Sequence, residues 1–358
     1  MEKILVAMSG GVDSSLTAAL LKEQGYHLIG VTMDVWKALD PEEEARQGGC
    51  CTLGAVEDAR QTAFDLGMPY YVMNLRDTFQ ETVIRYFIDE YTQGRTPNPC
   101  IMCNKVVKFD ILVEKAKQLG CSHVATGHYA RIEYENGRYV LKKARDTHKD
   151  QTYVLYGLTQ DQLAHVLFPL GGYLKEEVRK MSFERGLISA DRPDSQEICF
   201  VTDNDYKGFL KREVPDELKL GPIYDMQGNR LGTHEGIALY TIGQRKGLGI
   251  TSDTPLYVAE LRSTDNAVIV GKKEEIFSKG LIAEKVNWIA IEDLTKPTEV
   301  TVKVRYKSLE VLAMIEPHAE GVLVTFKEEQ RAVTPGQAVV FYDGDSVVGG
   351  GTITKVVK

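Results

Sequence analysis

No stretch of the 358 residues is apolar for long enough to cross a membrane, which leaves no candidate transmembrane helix. Cysteine is scarce. Only Cys50, Cys51, Cys100, Cys103, Cys121 and Cys199 occur, too scattered for a disulfide scaffold in a chain of this length. They read instead as thiols, redox groups or metal ligands. Cys100 and Cys103 form a lone CxxC. Neither a second CxxC nor an HxxxH stands near enough to complete a zinc site. An excess of basic charge is also missing: 43 Lys and Arg face 51 Asp and Glu, a net charge of −8. That argues against a surface coated for polyanions, but local basic clusters remain. They are Lys142-Lys143-Arg145-His148-Lys149, Lys207-Lys211-Arg212, Arg245-Lys246 and Lys303-Arg305-Lys307. There is no internal repeat and no low-complexity tract. Met1-Glu2-Lys3 leads directly into an apolar run, so no signal peptide and a cytoplasmic location are expected.

What is present is ample core material, 43% hydrophobic with 26% charged residues, in a chain long enough for more than one domain. The most informative stretch is Ser9-Gly10-Gly11-Val12-Asp13-Ser14-Ser15. An apolar run from Ile4 to Met8 precedes it and reads as a buried strand. A helical pattern from Leu16 to Gln24, closed by Gly25, follows it. Two glycines let the backbone turn tightly beside a ligand. The helix start offers unpaired N–H groups and the positive end of its dipole, and Ser9, Ser14 and Ser15 can add hydroxyls. Together these make a phosphate cradle. The same residues also fit an ordinary strand–turn–helix junction with a serine cap. The loop has no lysine, so it is not the Walker type.

The first half alternates strand and helix. Strand patterns cover Leu28–Met33, Tyr70–Asn74 and His123–Thr126; helical patterns cover Gly54–Leu66, Thr78–Tyr91 and Val106–Leu119. This rhythm predicts a doubly wound parallel α/β sheet, with ligands at the carboxyl ends of its strands. The Ser9 loop, Met33 and Gly127 should share that edge. Asp40 to Gln47 is an acidic insertion, read as a surface helix or loop. Ala130 to Lys142 reads as a hairpin turning at Asn136-Gly137. Helices are expected over Lys175–Arg185 and Tyr206–Arg212. Glycine-punctuated short runs after Asp203 suggest a small, mostly β domain. Alternating runs from about Gly280, at Val300–Tyr306, Val311–Glu316, Gly321–Phe326, Ala338–Phe341 and Ser346–Val356, suggest an antiparallel β-barrel. The expected domains are 1–204, 205–280 and 281–358.

Two cysteine loops stand out. In Pro97-Asn98-Pro99-Cys100-Ile101-Met102-Cys103-Asn104, prolines stiffen the chain, and Cys103 precedes a helical pattern carrying Lys105 and Lys108. A thiol placed so ionises more readily, though two small buried residues or half a zinc site fit the same string. In Asp194-Ser195-Gln196-Glu197-Ile198-Cys199-Phe200, Cys199 alternates with apolar neighbours, a pattern that also suits a core cysteine.

SGGVDS at 9–14 resembles the pyrophosphate loop of the ATP pyrophosphatases, which cleave ATP between the α and β phosphates. With it, TPNPCIMCN at 96–104, ATGHYAR at 125–131, KDQTYVL at 149–155, DSQEICF at 194–200 and HEGIALYTIGQRKGLGI at 234–250 resemble bacterial tRNA-specific 2-thiouridylases. Arg305-Tyr306 and Pro335-Gly336-Gln337 carry the likeness to the end of the chain. The resemblance implies a first domain of the adenine nucleotide alpha hydrolase type and ATP-dependent sulfur transfer to the wobble uridine of tRNAs for Glu, Gln and Lys. It implies that Ala7, Met8, Ser9, Gly10, Gly11, Val12, Asp13, Ser14, Met33 and Gly127 hold ATP, with Mg2+ accompanying it. Asn98, Pro99 and Cys100 would border the target base. His128, Lys149, Asp150, Gln151, Arg305, Tyr306 and Gln337 would touch tRNA. Read singly, His128 also fits a satisfied partner of a neighbouring strand, and Arg305 a solvated barrel residue.

The resemblance further implies that Cys199 carries sulfur as a persulfide from a cysteine desulfurase or relay protein. Cys103 is then the second catalytic thiol, and a Cys103–Cys199 disulfide can follow. Many members of that family carry Asp where Cys100 stands, so the acid–base role of that Asp does not carry over here. Cys100, Cys103 and Cys199 could together hold a 4Fe–4S cluster with one open iron, and both sulfur routes stay open. Cys50, Cys51 and Cys121 take no role, and a monomer is expected. Two other classes compete: an amide- or guanidino-forming ATP pyrophosphatase, which leaves Cys103 and Cys199 idle, and a nucleotide-gated RNA-binding module.

Overall fold

Ile4, Leu5 and Val6 have no exposed surface. They lie in β1 (Lys3–Ala7), which has a parallel neighbour on each edge. A strand buried on both faces reads as an unbroken apolar run, which is how it shows in the sequence. The computed structural model describes residues 2–35, 53–192, 198–201 and 205–358. Asp40 to Gln47, Cys50, Cys51 and Asp194 to Glu197 fall outside them. The chain divides into two compact units. The first is Met1–Val83, Cys100–Asn204 and Asp345–Val347; the second is Ile84–Pro99, Asp205–Gly344 and Val348–Lys358.

In the first unit β2 (His27–Asp34), β3 (Tyr70–Asn74) and β4 (His123–Ala125) are followed by the hairpin β5 (Arg131–Glu135) and β6 (Arg138–Lys142), then β7 (Val166–Leu167). The parallel sheet runs β3-β2-β1-β4-β7, with Ile4 opposite Leu28 on one side and His123 on the other. The chain builds outward from β1 one way and then returns to its other edge. The order therefore reverses between β1 and β4, where open α/β sheets form a ligand crevice. The helix Val12–Glu23 is buried on two sides. Ala18 and Leu21 join Ile4, Val6, Leu28 and Ala63, while Leu16 and Leu20 join Tyr129, Leu170 and Val178.

Several boundaries differ from the sequence pattern. β2 extends one residue beyond the Leu28–Met33 pattern at each end. The two-residue β7 has no sequence signal of its own. Helical conformation starts at Arg76, where Asn74 Oδ1 accepts from the Arg76 N–H at 3.1 Å, and continues through Thr92. The helix expected over Val106–Leu119 starts earlier, at Pro99, and runs to Gln118. Its Cys103–Asp110 stretch has wider turns, and the Ile111 N–H reaches back five residues to Val106 O. Proline suits that start because a first-turn N–H has no helical partner. The hairpin turns at Asn136 (φ 49°) and Gly137 (φ 83°), as their sequence predicts.

In the second unit the helix Arg85–Thr92 stacks Tyr91 on Tyr206 at 5.0 Å, and Phe87 meets Phe209 at 6.0 Å. Beside them β8 (Gly221–Asp225), β9 (Arg230–His234), β10 (Tyr257–Arg262) and β11 (Ala267–Gly271) form a sheet ordered β10-β11-β8-β9. The last strands are β12 (Phe277–Trp288), β13 (Thr298–Lys303), β14 (Val311–His318), β15 (Gly321–Arg331), β16 (Ala338–Asp343) and β17 (Ser346–Val357). They run β12-β15-β14-β13-β16-β17, and β12 also pairs with β17, so the antiparallel barrel closes. Val300, Val302, Ile315, Val324, Phe341 and Ile353 fill it. Closure needs Gly280, where a Cβ would sit 2.4 Å from Val324 O.

Candidate active site

The Ser9–Ser14 loop leaves β1 at the point where strand order reverses. Gly10 has φ +70°, and a Cβ there would lie 2.0 Å from Ala55 O, so only glycine fits. Gly11 caps the helix in extended conformation. Ser14 Oγ donates to Gly11 O at 3.1 Å, accepts from the Ser9 N–H at 3.1 Å and lies 3.2 Å from Ser9 Oγ. Gly127 closes the other side: a Cβ on it would stand 2.8 Å from Asp13 C and 3.0 Å from Ser14 N. Met8 and Val12 turn their side chains into the core, which leaves their backbone as the part that can face a ligand. Ser15 is corrected here. It is fully buried, with its hydroxyl 3.5 Å from Thr62 Oγ1, and does not belong to the cradle.

Asp13 accepts from Tyr129 Oη at 2.7 Å and from Lys175 Nζ at 2.7 and 2.8 Å. The sequence reading missed Lys175. A lysine at the first residue of its helix, Lys175–Glu184, has the wrong sign for the helix dipole, and that mismatch was the available signal.

Cys100 and Cys199 are exposed, Cys103 is half-buried, and none is in a disulfide. The segments that carry Cys103 and Cys199 both meet one short helix, Arg76–Phe79. The Cys103–Asp110 segment packs beside it, and Phe79 meets the Phe200 ring edge-on at 5.8 Å. Among the described residues no three His, Cys, Asp or Glu side chains gather as a metal site, although Cys100, Cys103 and Cys199 are all described. Cys121 is buried, and burial pushes its thiol up, which suits an inert core cysteine.

The remaining candidates separate by environment. His128 is 9% exposed, packs near Phe109 and Phe168, and pairs Nδ1 with Thr126 Oγ1 at 2.7 Å. Burial, and then Lys108, hold its imidazole well below the usual range. The residue is buried and has a hydrogen-bond partner in Thr126. Asp150 is also buried, accepting from the Ala144 N–H at 3.0 Å and Thr152 Oγ1 at 2.6 Å. Gln151 Oε1 accepts from the Tyr129 N–H at 2.8 Å, so this motif holds the Tyr129 segment in place. The Lys149 N–H donates to Asp146 O at 3.1 Å.

In the second unit Arg305 donates to Ala332 O and, at 2.8 Å, to Thr334 Oγ1. Tyr306 is partly exposed. Gln337 Nε2 donates to Thr96 O at 2.9 Å and Pro97 O at 3.4 Å, and the Thr96 N–H donates to Pro335 O. These bonds fix the approach to Asn98 and Pro99. The basic clusters are thinner than their sequence suggests. Lys142 pairs with Glu133 and Glu135, whose hydrogen bonds hold its ammonium above the usual lysine range. Arg145 pairs with Glu177, and Lys211 with Glu235. Arg245 and Lys246 stay exposed on a loop tied by Gln244 Nε2 to Lys246 O at 2.9 Å.

A Ser/Gly loop at the switch point of a parallel sheet, followed by a small β sheet and a closed barrel, defines a nucleotide-binding α/β protein with appended β modules. Residues 2–203 match the family described as tRNA methyl transferase HUP domain, 207–272 its PRC-barrel domain, and 278–353 an aminomethyltransferase beta-barrel domain. The chain is 56% identical to the tRNA-specific 2-thiouridylase MnmA of Symbiobacterium thermophilum, over 100% of this chain and 93% of that one. It is 55% identical to tRNA-specific 2-thiouridylase MnmA 1 of Thermoanaerobacter sp., over 99% of both. The chain belongs to the tRNA-specific 2-thiouridylase family. A solved 4-thiouridine synthetase–RNA complex with bound ATP overlaps 60% of this chain and 51% of its own, at 20% identity and TM-score 0.39.

Proposed function

We propose that this chain catalyses ATP-dependent 2-thiolation of the wobble uridine of tRNA, giving 2-thiouridine, AMP and pyrophosphate. The observation that carries the reading is that one unit holds both the Ser9–Ser14 cradle and two accessible cysteine segments sharing one supporting helix. Family membership supports the same activity.

The chemistry explains why both parts are needed. The C2 oxygen of uracil is a poor leaving group. Its attack on the α-phosphorus of ATP forms a C2–O–AMP bond and releases pyrophosphate toward the Ser9–Ser14 loop. Ala7 to Ser14, Met33 and Gly127 form the proposed ATP site. Mg2+ would arrive on the phosphates, since it keeps several waters and binds through substrate oxygens. The Asp13 carboxylate is the acidic group within the loop.

Cys199 carries the incoming sulfur as a persulfide from a cysteine desulfurase or relay protein, for which its exposure leaves access. The Cys103 thiolate attacks the Cys199 sulfur. The S–S bond breaks, hydrosulfide leaves and adds to C2, and AMP departs with the C–O electron pair. The resulting Cys103–Cys199 disulfide takes two electrons from an external thiol before the next turnover.

Asn98, Pro99 and Cys100 border the extruded base in this reading, and Lys149, Arg305, Tyr306 and Gln337 serve tRNA binding, with Glu, Gln and Lys tRNAs as substrates. The family matches support a catalytic domain over 1–204, a central domain over 205–280 and a barrel over 281–358. Among the described residues no helix is long and apolar enough to cross a membrane. A cytoplasmic site of action accompanies the reading. The test supplies unmodified tRNA, ATP and a persulfide donor and follows pyrophosphate and 2-thiouridine together. Equal amounts of both, each requiring tRNA, are expected. Bound tRNA with no pyrophosphate released would replace the reading with a nucleotide-gated RNA-binding module.

A further inference from the structure

The cradle has an internal contradiction. Its backbone N–H groups and helix dipole attract phosphate, yet Asp13 places a carboxylate within it, which repels phosphate. A second element removes the conflict. Lys175 Nζ lies 2.7 and 2.8 Å from the two Asp13 oxygens, and Tyr129 Oη donates to Oδ1 at 2.7 Å. Lys175 is only 8% exposed, and its ammonium sits 5.6 Å from the Tyr129 ring centroid. Its own backbone N–H donates to Asp146 Oδ2 at 2.9 Å, which anchors the helix start that carries it. Gly127 presses on the Asp13 backbone from the other side.

A lysine at a helix start gains nothing from the dipole, and a buried ammonium without a partner is costly. Asp13 is the partner that makes the position tenable, and the pair is as close as an ion pair allows. We propose that Lys175 is a positioning residue for the nucleotide: it cancels the Asp13 charge and fixes that carboxylate, so that the loop is attractive to polyphosphate. This rests on reading the loop as the ATP site. Lys175 acts through Asp13 and not by grasping phosphate itself, and that distinction is measurable.

The experiment is a double-mutant cycle on the full chain, with Lys175→Met, Asp13→Asn and the double variant. Binding of an α,β-methylene ATP analogue is read by calorimetry, with thermal melts of each variant. Lys175→Met should weaken binding about tenfold or more, because it leaves an uncompensated carboxylate in the loop. In the Asp13→Asn background the same change should alter affinity by less than about threefold, since there is no charge left to cancel. Lys175→Arg should restore most of the affinity. An equal loss from Lys175→Met in both backgrounds would overturn the proposal, because Lys175 would then act without Asp13. If Lys175→Met does not fold, Lys175→Gln takes its place in the same cycle, and an equal loss in both backgrounds again overturns the proposal. A wild-type chain that binds no analogue overturns the ATP-site reading and this proposal together, whereas analogue binding that Lys175→Met leaves unchanged overturns only this proposal.

Discussion

Gly127 shows how much one missing side chain can matter. A Cβ there would enter the backbone of Asp13 and Ser14, at 2.8 and 3.0 Å, and backbone cannot step aside as a flexible side chain can. Gly127→Ala should destabilise the chain by about 1–3 kcal/mol and weaken ATP binding about tenfold, read by urea unfolding and calorimetry. Gly172→Ala is the control: nothing lies within 4 Å of its added Cβ, so it should leave both nearly unchanged. Matching losses in the two variants would contradict the close-approach account. At this scale the sequence was most legible where the signal is local. Ser9, Gly10, Gly11 and Ser14 sit within one turn and could be read together. Ser15 misled, because adjacency says nothing about the side of the helix a hydroxyl faces. Tyr129 and Lys175 reach Asp13 from 116 and 162 residues away, and no local pattern announces such a contact.

Elements divide in the same way. The β5–β6 hairpin was legible because Asn136-Gly137 is itself the turn chemistry, whereas β7 is two residues long and exists only through its pairing with β4. The helices expected over Thr78–Tyr91 and Val106–Leu119 begin earlier, at Arg76 and Pro99. Pro99 is compatible with a first turn, and the wide turns after Cys103 blur the usual spacing. Gln337, which the resemblance places against tRNA, donates its side-chain N–H groups to Thr96 O and Pro97 O. Gln337→Ala should cost about 0.5–1.5 kcal/mol of stability for the lost hydrogen bonds. It should also slow thiolation several-fold while leaving affinity for the ATP analogue unchanged. Unchanged stability in Gln337→Ala would show that its bonds to Thr96 and Pro97 do not hold that segment.

For the whole molecule, the order of α/β sheet, small β sheet and barrel was legible because each segment has its own hydrophobic period. The placement of charge was not, since pairs such as Lys142 with Glu133 form only on folding. Burial of His128 makes the fold acid-sensitive. Its folded value lies well below the 6.5 of an exposed histidine, so below that pH the unfolded chain takes up a proton that the fold refuses. The stability is complete above about pH 6.5 and falls as pH drops, by up to about 1.4 kcal/mol per pH unit from this residue. Urea midpoints at pH 7.5 and 5.5 should drop more for wild type than for His128→Gln, and equal drops would contradict this. The central claim is that two distant thiols carry sulfur to a base activated at the Ser9–Ser14 loop. The most direct measurement is 2-thiouridine formed on unmodified tRNA by wild type, Cys103→Ala and Cys199→Ala, with ATP and the physiological persulfide donor. Both variants should bind ATP and tRNA yet form no 2-thiouridine, and full thiolation by Cys199→Ala would contradict the account.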